Sequence, residues 1–431
     1  MYKDRIVDKR IERLLNAPVA IQIIGPKWCG KTTTAKKYSK SFIDLQDQSH
    51  AERYKLMADS DIQLLLEGDK PRLIDEWQEI KPIWNAIRRK VDESNHQKLE
   101  YFLTGSVIPP TTEGLHTGTG RIVSLSMKPM SLFESGDSKG SVSLHSLLDN
   151  QSNISSISKL TYADLAYLTC RGGWPRTINL PKNTALEISK SYVDELCNRD
   201  VSNYDGVKRN PLLAKNLLKA YARHVSTIDS DKSLIMDVKN YHGQVSNPTV
   251  YDYIDVFKKL FVIDEISAWN PNIRSKTAIM TSPKKSFADP SIGASALNCS
   301  PKDLEFDPET FGLLFENLVT RDLGVYISNT GGYIQHYRDR YGVECDTILH
   351  FSDGQYALVQ AKLGSKKETE AIDTMIKIYE LIKKNMTENP NDKSLRLPSF
   401  MLVVTGGEYA HKVIDKGYDN IYVVPLGCLK D

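Results

Sequence analysis

The sequence predicts a multidomain α/β protein: a parallel sheet covered by helices, then a largely helical middle part, then a second α/β unit. Three observations point there. The 431 residues exceed one ordinary core and suit two or three domains. The first 135 residues alternate short apolar runs with helical stretches, the pattern of a parallel sheet. The same alternation returns from residue 311 to the end.

Val19–Ile24 reads as a buried strand running straight into a Gly-rich turn and a helix start rich in Lys and Thr. Ser41–Leu45, Arg72–Ile74, Tyr101–Leu103 and Ile122–Leu125 follow as further strands. Residues 135–160, rich in Ser, Gly and Asp, read as a loop or weak helix where the fold changes. From Tyr162 to about Ala222 the pattern is helical, broken by Arg171-Gly172-Gly173-Trp174-Pro175. A helix then ends at Gly243 and another opens at Ser246 or Asn247, with Pro248 in its first turn. Val250, Ile254, Phe257 and Leu260 keep helical spacing, and Phe261–Ile266 reads as a strand, so the order is that of a winged helix. Residues 284–310 form a connector. The tail holds a helix (Phe311–Leu323), strands at Gly332–Tyr337, Cys345–Phe351 and Tyr356–Lys362, a long helix (Lys367–Asn385), and strands at Phe400–Thr405 and Ile421–Pro425.

Composition sets outer bounds. Hydrophobic residues make up 40% and charged residues 26%, an ordinary globular balance. No run approaches the roughly 18–20 apolar residues of a membrane span, and the charged N-terminus lacks the apolar centre of a signal peptide. A cytoplasmic protein with no membrane partner is expected. Six widely spaced cysteines without a C-x-x-C pair speak against zinc and disulfides. A net charge of +2 neither demands nor excludes nucleic acid.

Gly25-Pro26-Lys27-Trp28-Cys29-Gly30-Lys31-Thr32 fits G-x-x-x-x-G-K-[ST] at every fixed position, between a strand and a helix. Gly25 and Gly30 let the backbone curl its N–H groups toward phosphates, and the helix N-terminus adds its dipole. Lys31 is expected to neutralise the β- and γ-phosphates of ATP, Thr32 to ligate Mg²⁺, and Thr33 to complete the binding set. Leu73-Ile74-Asp75-Glu76 supplies the second half: Asp75 ends an apolar strand and would hold Mg²⁺ through water, and Glu76 would orient or deprotonate the attacking water. Phe102-Leu103-Thr104-Gly105-Ser106 ends another buried strand, where the Thr104 or Ser106 hydroxyl is a candidate γ-phosphate sensor and a plain strand-end turn is the alternative. Arg121 is a candidate arginine finger acting on a neighbouring subunit, which would require a homo-oligomer.

Taken in order, GPKWCGKTT, LIDEWQ, FLTGS, GRIVSLSMKPMSLFE, RGGWPR, YVDELCNRDV, KKSFADPSI, FGLLFENLV, VECDTIL and ALVQAKLG resemble bacterial and archaeal AAA-type ATPases whose C-terminal domain looks like a PD-(D/E)XK nuclease. The similarity spans nearly the whole chain. It implies an ATPase core at 1–160, a helical lid and winged helix at 161–283, and a nuclease-like domain at 284–431. In that nuclease-like fold Asp346 would be the metal-binding acid, Gln360-Ala361-Lys362 stands where E-x-K is expected, and Glu316 could add a carboxylate. Asp346 and Glu316 would hold Mg²⁺ through oxygen, and Lys362 would orient the attacking hydroxide. Gln360 removes one negative charge from that set, and a structural Asp346–Lys362 ion pair without catalysis is the competing reading.

The expected function is therefore an ATP-hydrolysing AAA-type switch or motor. An ATP-gated, metal-dependent DNA nuclease and a nucleotide-sensing scaffold without hydrolysis are the alternatives. The second helix of the winged-helix segment carries Asp252 and Asp255, which would repel phosphates and favour a protein contact over base reading. Lys208, Arg209, Lys215, Lys219 and Arg223, and again Lys362, Lys366 and Lys367, are basic runs that leave nucleic acid open as a partner.

Overall fold

The computed structural model describes residues 2–93, 98–106, 118–149, 154–271, 281–390 and 395–431. Five strands, β1 (Ala20–Ile24), β2 (Ser41–Asp44), β3 (Arg72–Asp75), β4 (Tyr101–Gly105) and β5 (Ile122–Ser126), form one sheet in the order β2-β3-β4-β1-β5. Every pairing in it is parallel. Parallel strands need crossovers that cover both faces, so the strands are apolar on both sides. Ile21, Ile23, Leu73, Phe102 and Leu125 face Val7 and Ile11 of the helix Ile6–Leu14 and Ala35 of the helix Lys31–Tyr38. Ile43, Ile74, Tyr101 and Leu103 face Ile83, Ala86 and Ile87 of the helix Pro82–Glu93.

The second sheet has seven strands. Its members are β7 (Ser156–Ile157), β8 (Tyr333–Arg338), β9 (Glu344–His350), β10 (Tyr356–Lys362), β11 (Phe400–Thr405), β12 (Tyr409–Lys412) and β13 (Ile421–Pro425), in the order β7-β12-β13-β11-β10-β9-β8. A small parallel pair joins β6 (Val142–Ser143) to β14 (Leu429–Lys430). One face packs against the helix Pro308–Ser328, the other against Ala371, Ile372, Met375, Ile378 and Ile382 of the helix Glu368–Glu388.

The expected loop or weak helix at 135–160 thus gives strands to the C-terminal sheet: β7 pairs with β12 and β6 with β14. An ATPase core bounded at 160 includes chain that folds with the far end of the molecule. The middle part is helical, and Asp231–His242 and Asn247–Lys259 form a helix-turn-helix capped by Gly243 and Ser246. In place of the expected strand at Phe261–Ile266 there are two isolated antiparallel bridges, Ile263 with Phe287 and Ile266 with Lys284. A boundary at 284 therefore cuts through a paired segment. One continuous core joins the middle helices (Leu217, Tyr221, Phe257) to the C-terminal part (Phe315, Leu318, Val404), with Ile6 and Leu132 of the N-terminal part drawn in.

Candidate nucleotide site and the carboxylate cluster

The Gly25–Thr32 loop leaves β1 and enters the helix Lys31–Tyr38. Gly25 (φ 151°) passes so close to the next strand that a Cβ there would lie 2.1 Å from the Met127 carbonyl oxygen. Gly30 caps the helix with φ 103°, a left-handed conformation that glycine adopts freely. Arg5 braces the loop from behind: Nη1 donates to the Cys29 carbonyl at 2.7 Å, and Nε pairs with Glu134 at 3.1 Å. Lys31 Nζ donates to the carbonyls of Gly25 (3.0 Å) and Pro26 (2.9 Å), which holds a buried ammonium at the loop's centre. Thr33 faces solvent.

Across the sheet, Asp75 ends β3 and accepts from Thr32 Oγ1 at 2.9 Å and, on the same Oδ1, from Thr104 Oγ1 of β4. Burial pushes the Asp75 carboxyl up, and those two hydroxyls pull against the shift. Glu76 follows with φ 52°, an uncommon conformation for a side-chain-bearing residue. Its carboxylate accepts from Gln78 Nε2 (2.5 Å), Ser106 N (3.2 Å) and Ser106 Oγ (3.1 Å). Of the two sensor candidates, Thr104 touches the Asp75 carboxylate and accepts from Glu76 N at 3.3 Å, and Ser106 touches the Glu76 carboxylate. Thr32, Asp75, Glu76 and Thr104 form one hydrogen-bonded group, and Lys31 stays on the carbonyls of its own loop. Arg121 does not join them. It precedes β5, at the sheet edge opposite the loop, and pairs with Asp92 at 2.7 Å.

Two residues inside the loop reach outward. Lys27 pairs with Asp200 at 2.7 Å, and Trp28 lies 5.7 Å (ring centroids) from Tyr192. Asp200 ends a π-helical turn, Leu196–Asp200, between the helices Lys182–Glu195 and Val201–Asn203; such turns often accompany functional sites. Lys27, Gln78, Ser106, Asp200 and Tyr204 line a cleft of about 420 Å³ between the first sheet and the middle helices. Sequence reasoning missed Arg5, Gln78 and Asp200. The YVDELCNRDV motif is the one signal that could have pointed to Asp200.

Behind the cleft the motifs without assigned chemistry meet. Met130 N donates to Gly173 O (2.7 Å) and Gly173 N to Asp289 Oδ2 (2.9 Å). Trp174 Nε1 donates to Ser291 Oγ (2.9 Å), and Leu132 N to Asp322 Oδ2 (3.0 Å). At the centre Arg321, 1% exposed, bridges Asp289 (2.9 Å) and Asp322 (2.7 Å). GRIVSLSMKPMSLFE, RGGWPR, KKSFADPSI and the helix Pro308–Ser328 thus share one buried polar junction.

The C-terminal constellation also assembles. Asp346 lies on β9, Gln360 and Lys362 on β10, and Glu316 on the helix Pro308–Ser328. Asp346 Oδ2 accepts from Ala361 N (2.9 Å) and Lys362 Nζ (3.2 Å). A fifth residue, unforeseen, completes the cluster: Lys284 Nζ lies 2.6 Å from Glu316 Oε1, 3.7 Å from Asp346 Oδ1 and 3.2 Å from the Asp346 carbonyl. Burial would raise the Asp346 carboxyl, but Lys284 and Lys362 hold it below its usual range. Burial and the Asp346 charge push Glu316 upward. Lys284 is held above its usual value by those two acids despite its burial. With an ammonium between the two carboxylates, the residues as arranged do not fit the Mg²⁺ that the resemblance implies. Among the described residues, no group of three or more His, Cys, Asp or Glu could hold a metal ion.

A parallel sheet in this order, with a phosphate loop after β1 and a carboxylate ending β3, defines a P-loop ATPase-type core. Residues 18–135 match the model of the AAA domain, which makes the core an AAA-type P-loop domain. Two further models match, each described as a domain of unknown function: DUF8612 over residues 162–303 and DUF4143 over residues 311–429. No curated protein matches the chain. Among solved structures, the Walker-type ATPase of Pyrococcus abyssi is 14% identical, with 68% of this chain and 96% of that chain covered at a TM-score of 0.40. The replication initiator DnaA bound to AMPPCP and single-stranded DNA is 17% identical, covering 59% and 86% at a TM-score of 0.27. Likenesses this loose carry no argument about function. Among the described residues, no helix is long and apolar enough to cross a membrane.

Proposed function

We propose that the protein is an ATP-hydrolysing AAA-type switch whose nucleotide state is relayed to the lid and the C-terminal domain. The observation that carries this reading is the Thr32–Asp75–Thr104 cluster with Glu76 beside it. A loop that merely bound phosphate would need Lys31 and the glycines, whereas Glu76, held by Ser106 and Gln78, is the equipment of hydrolysis. The loop also fits a polyphosphate because both its glycines stand where a side chain would clash or strain.

In this reading Lys31 turns from the loop carbonyls to the β- and γ-phosphates. Thr32 and the ionised Asp75 would hold Mg²⁺, which would supply charge neutralisation of the phosphates. Glu76 orients the attacking water and accepts its proton, and Ser106 fixes the Glu76 carboxylate for that role. Lys27 and Trp28 carry the loop's state to Asp200 and Tyr192 of the lid.

Of the nuclease and scaffold alternatives, neither is favoured. The nuclease reading meets acids already neutralised by lysines, and the scaffold leaves Glu76 without a purpose. The helix-turn-helix and the bridges after it support a winged helix, with a protein contact preferred to base reading. Asp252 is engaged by Arg209 at 3.0 Å and Asp255 by Lys259 at 2.6 Å, so part of the basic run is spent on internal ion pairs. Steady-state hydrolysis of ATP with Mg²⁺ by wild type and Lys31→Ala, with and without single- and double-stranded DNA, tests the reading. Turnover by wild type alone, unchanged by DNA, is the expected result. DNA stimulation would make nucleic acid the effector, and absence of turnover in every condition would overturn the ATPase assignment.

A further inference from the structure

The C-terminal cluster has the geometry of a cation site and already contains a cation. Two carboxylates converge on Lys284 from two elements, Glu316 from a helix and Asp346 from β9, and Gln360 lies on the neighbouring strand β10. Leu358 pairs with Ile348 across the two strands. Beyond Val359 and Thr347 the regular ladder stops at a bulge in β9, where the Asp346 carboxylate turns to Ala361 N and Lys362 Nζ of β10. Gln360 Nε2 is satisfied by the Glu344 carbonyl at 2.8 Å, but Gln360 Oε1 is buried and accepts no hydrogen bond from the protein. A buried acceptor left without a donor is costly and calls for an explanation. Two carboxylates this deeply buried would repel each other unless a positive charge lay between them. Lys284 provides it, only 3% exposed and in contact with both acids.

Lys284 comes from outside the sheet and its covering helix. It lies on the segment bridged to Ile266, and its neighbours in sequence, Lys285 and Asp289, are tied to the lid and to the Arg321 junction: Lys285 to Asp231 at 2.8 Å, Asp289 to Arg321 at 2.9 Å. The connector thus inserts an ammonium into the C-terminal domain and is anchored directly after it by Lys285 and Asp289. Divalent cations such as Mg²⁺ and Mn²⁺ take carboxylate and amide oxygens at about 2.0–2.6 Å and cannot share that space with a lysine head group.

We propose that Lys284 is the resident cation of this site: a tethered ammonium that replaces a divalent metal and keeps the nuclease-like domain closed to one. Glu316 and Asp346 are the ligands that its removal would release. The inference does not rest on the nucleotide reading, and its test is run without nucleotide.

The full chain is titrated with Mn²⁺ alone, followed by electron paramagnetic resonance and by thermal melting, for wild type, Asp346→Asn, Lys284→Met and the Lys284→Met/Asp346→Asn double variant. Wild type and Asp346→Asn should bind Mn²⁺ identically. Lys284→Met should melt lower than wild type in EDTA, gain one further Mn²⁺ at least about tenfold tighter than any wild-type site, and recover stability on adding it. The double variant should lose that ion. Wild type binding one Mn²⁺ that Asp346→Asn abolishes would overturn the proposal without recourse to any Lys284 variant. So would a folded Lys284→Met protein that gains no ion, or one that never folds with or without Mn²⁺.

Discussion

At the scale of single residues, the nucleotide site depends on contacts a few ångströms long. Lys31→Ala removes the only ammonium at the loop's centre among the described residues, and ATP affinity should fall by at least about tenfold while the fold persists, as measured by calorimetric titration. Trp28 stands 41% exposed inside the loop with φ 67°, against Tyr192. Its emission should change on ATP binding, and Trp28→Phe should lose that change while Trp77 and Trp84 continue to fluoresce. Two histidines give a pH dependence. Burial, with Lys284 nearby, pushes His336 down to about 4, and burial does the same to His350. The unfolded chain takes up these protons near pH 6.5, the native one only near 4. The histidines' share of stability should therefore fall as pH drops through that window, by up to about 3 kcal/mol each, against the opposite contribution of the raised Glu316 carboxyl; denaturant melts at pH 7 and pH 5 of wild type beside His336→Gln and His350→Gln isolate it. Lys31, Asp75 and Glu76 were legible because each belongs to a short contiguous motif with a mechanism. Arg5, Asp200 and Lys284 were not, since each acts on a partner between 24 and 173 residues away.

At the scale of elements, buried strands announced themselves as apolar runs, and all five of the first sheet lie within a residue or two of their expected bounds. β6 and β7 did not, because two-residue strands carry no periodicity and exist by virtue of the β14 and β12 edges they join. The RGGWPR turn was legible as a break but not as a junction. A Cβ on Gly173 would lie 2.1 Å from the Met130 carbonyl oxygen, a backbone atom with little room to move. Gly173→Ala should destabilise the protein by at least about 2 kcal/mol. Arg321→Met, which strands Asp289 and Asp322 in the interior, should cost about 3–5 kcal/mol, and adding Asp289→Asn should recover part of the loss. Chemical denaturation of the single and double variants measures both.

At the scale of the whole molecule, the distribution of cores divides the chain differently from its motifs. The first sheet has two apolar faces of its own, whereas the lid and the C-terminal domain share one core. A fragment of residues 311–431 should therefore be insoluble or unfolded, and one beginning near residue 131 should fold, because it retains β6, β7 and the lid. Circular dichroism of the two fragments separates these outcomes. On the proposed function, a nucleotide state would travel from the loop through Lys27 and Trp28 to the middle helices, and from them, by shared packing, to the C-terminal sheet.

That account stands on Glu76 being the hydrolytic group of a site that binds ATP without it. The most direct measurement is ATP affinity and Mg²⁺-dependent turnover on one preparation of Glu76→Gln beside wild type. The account predicts affinity within about threefold of wild type and turnover down by at least about a hundredfold. Unchanged turnover, or affinity and turnover lost together, would contradict it.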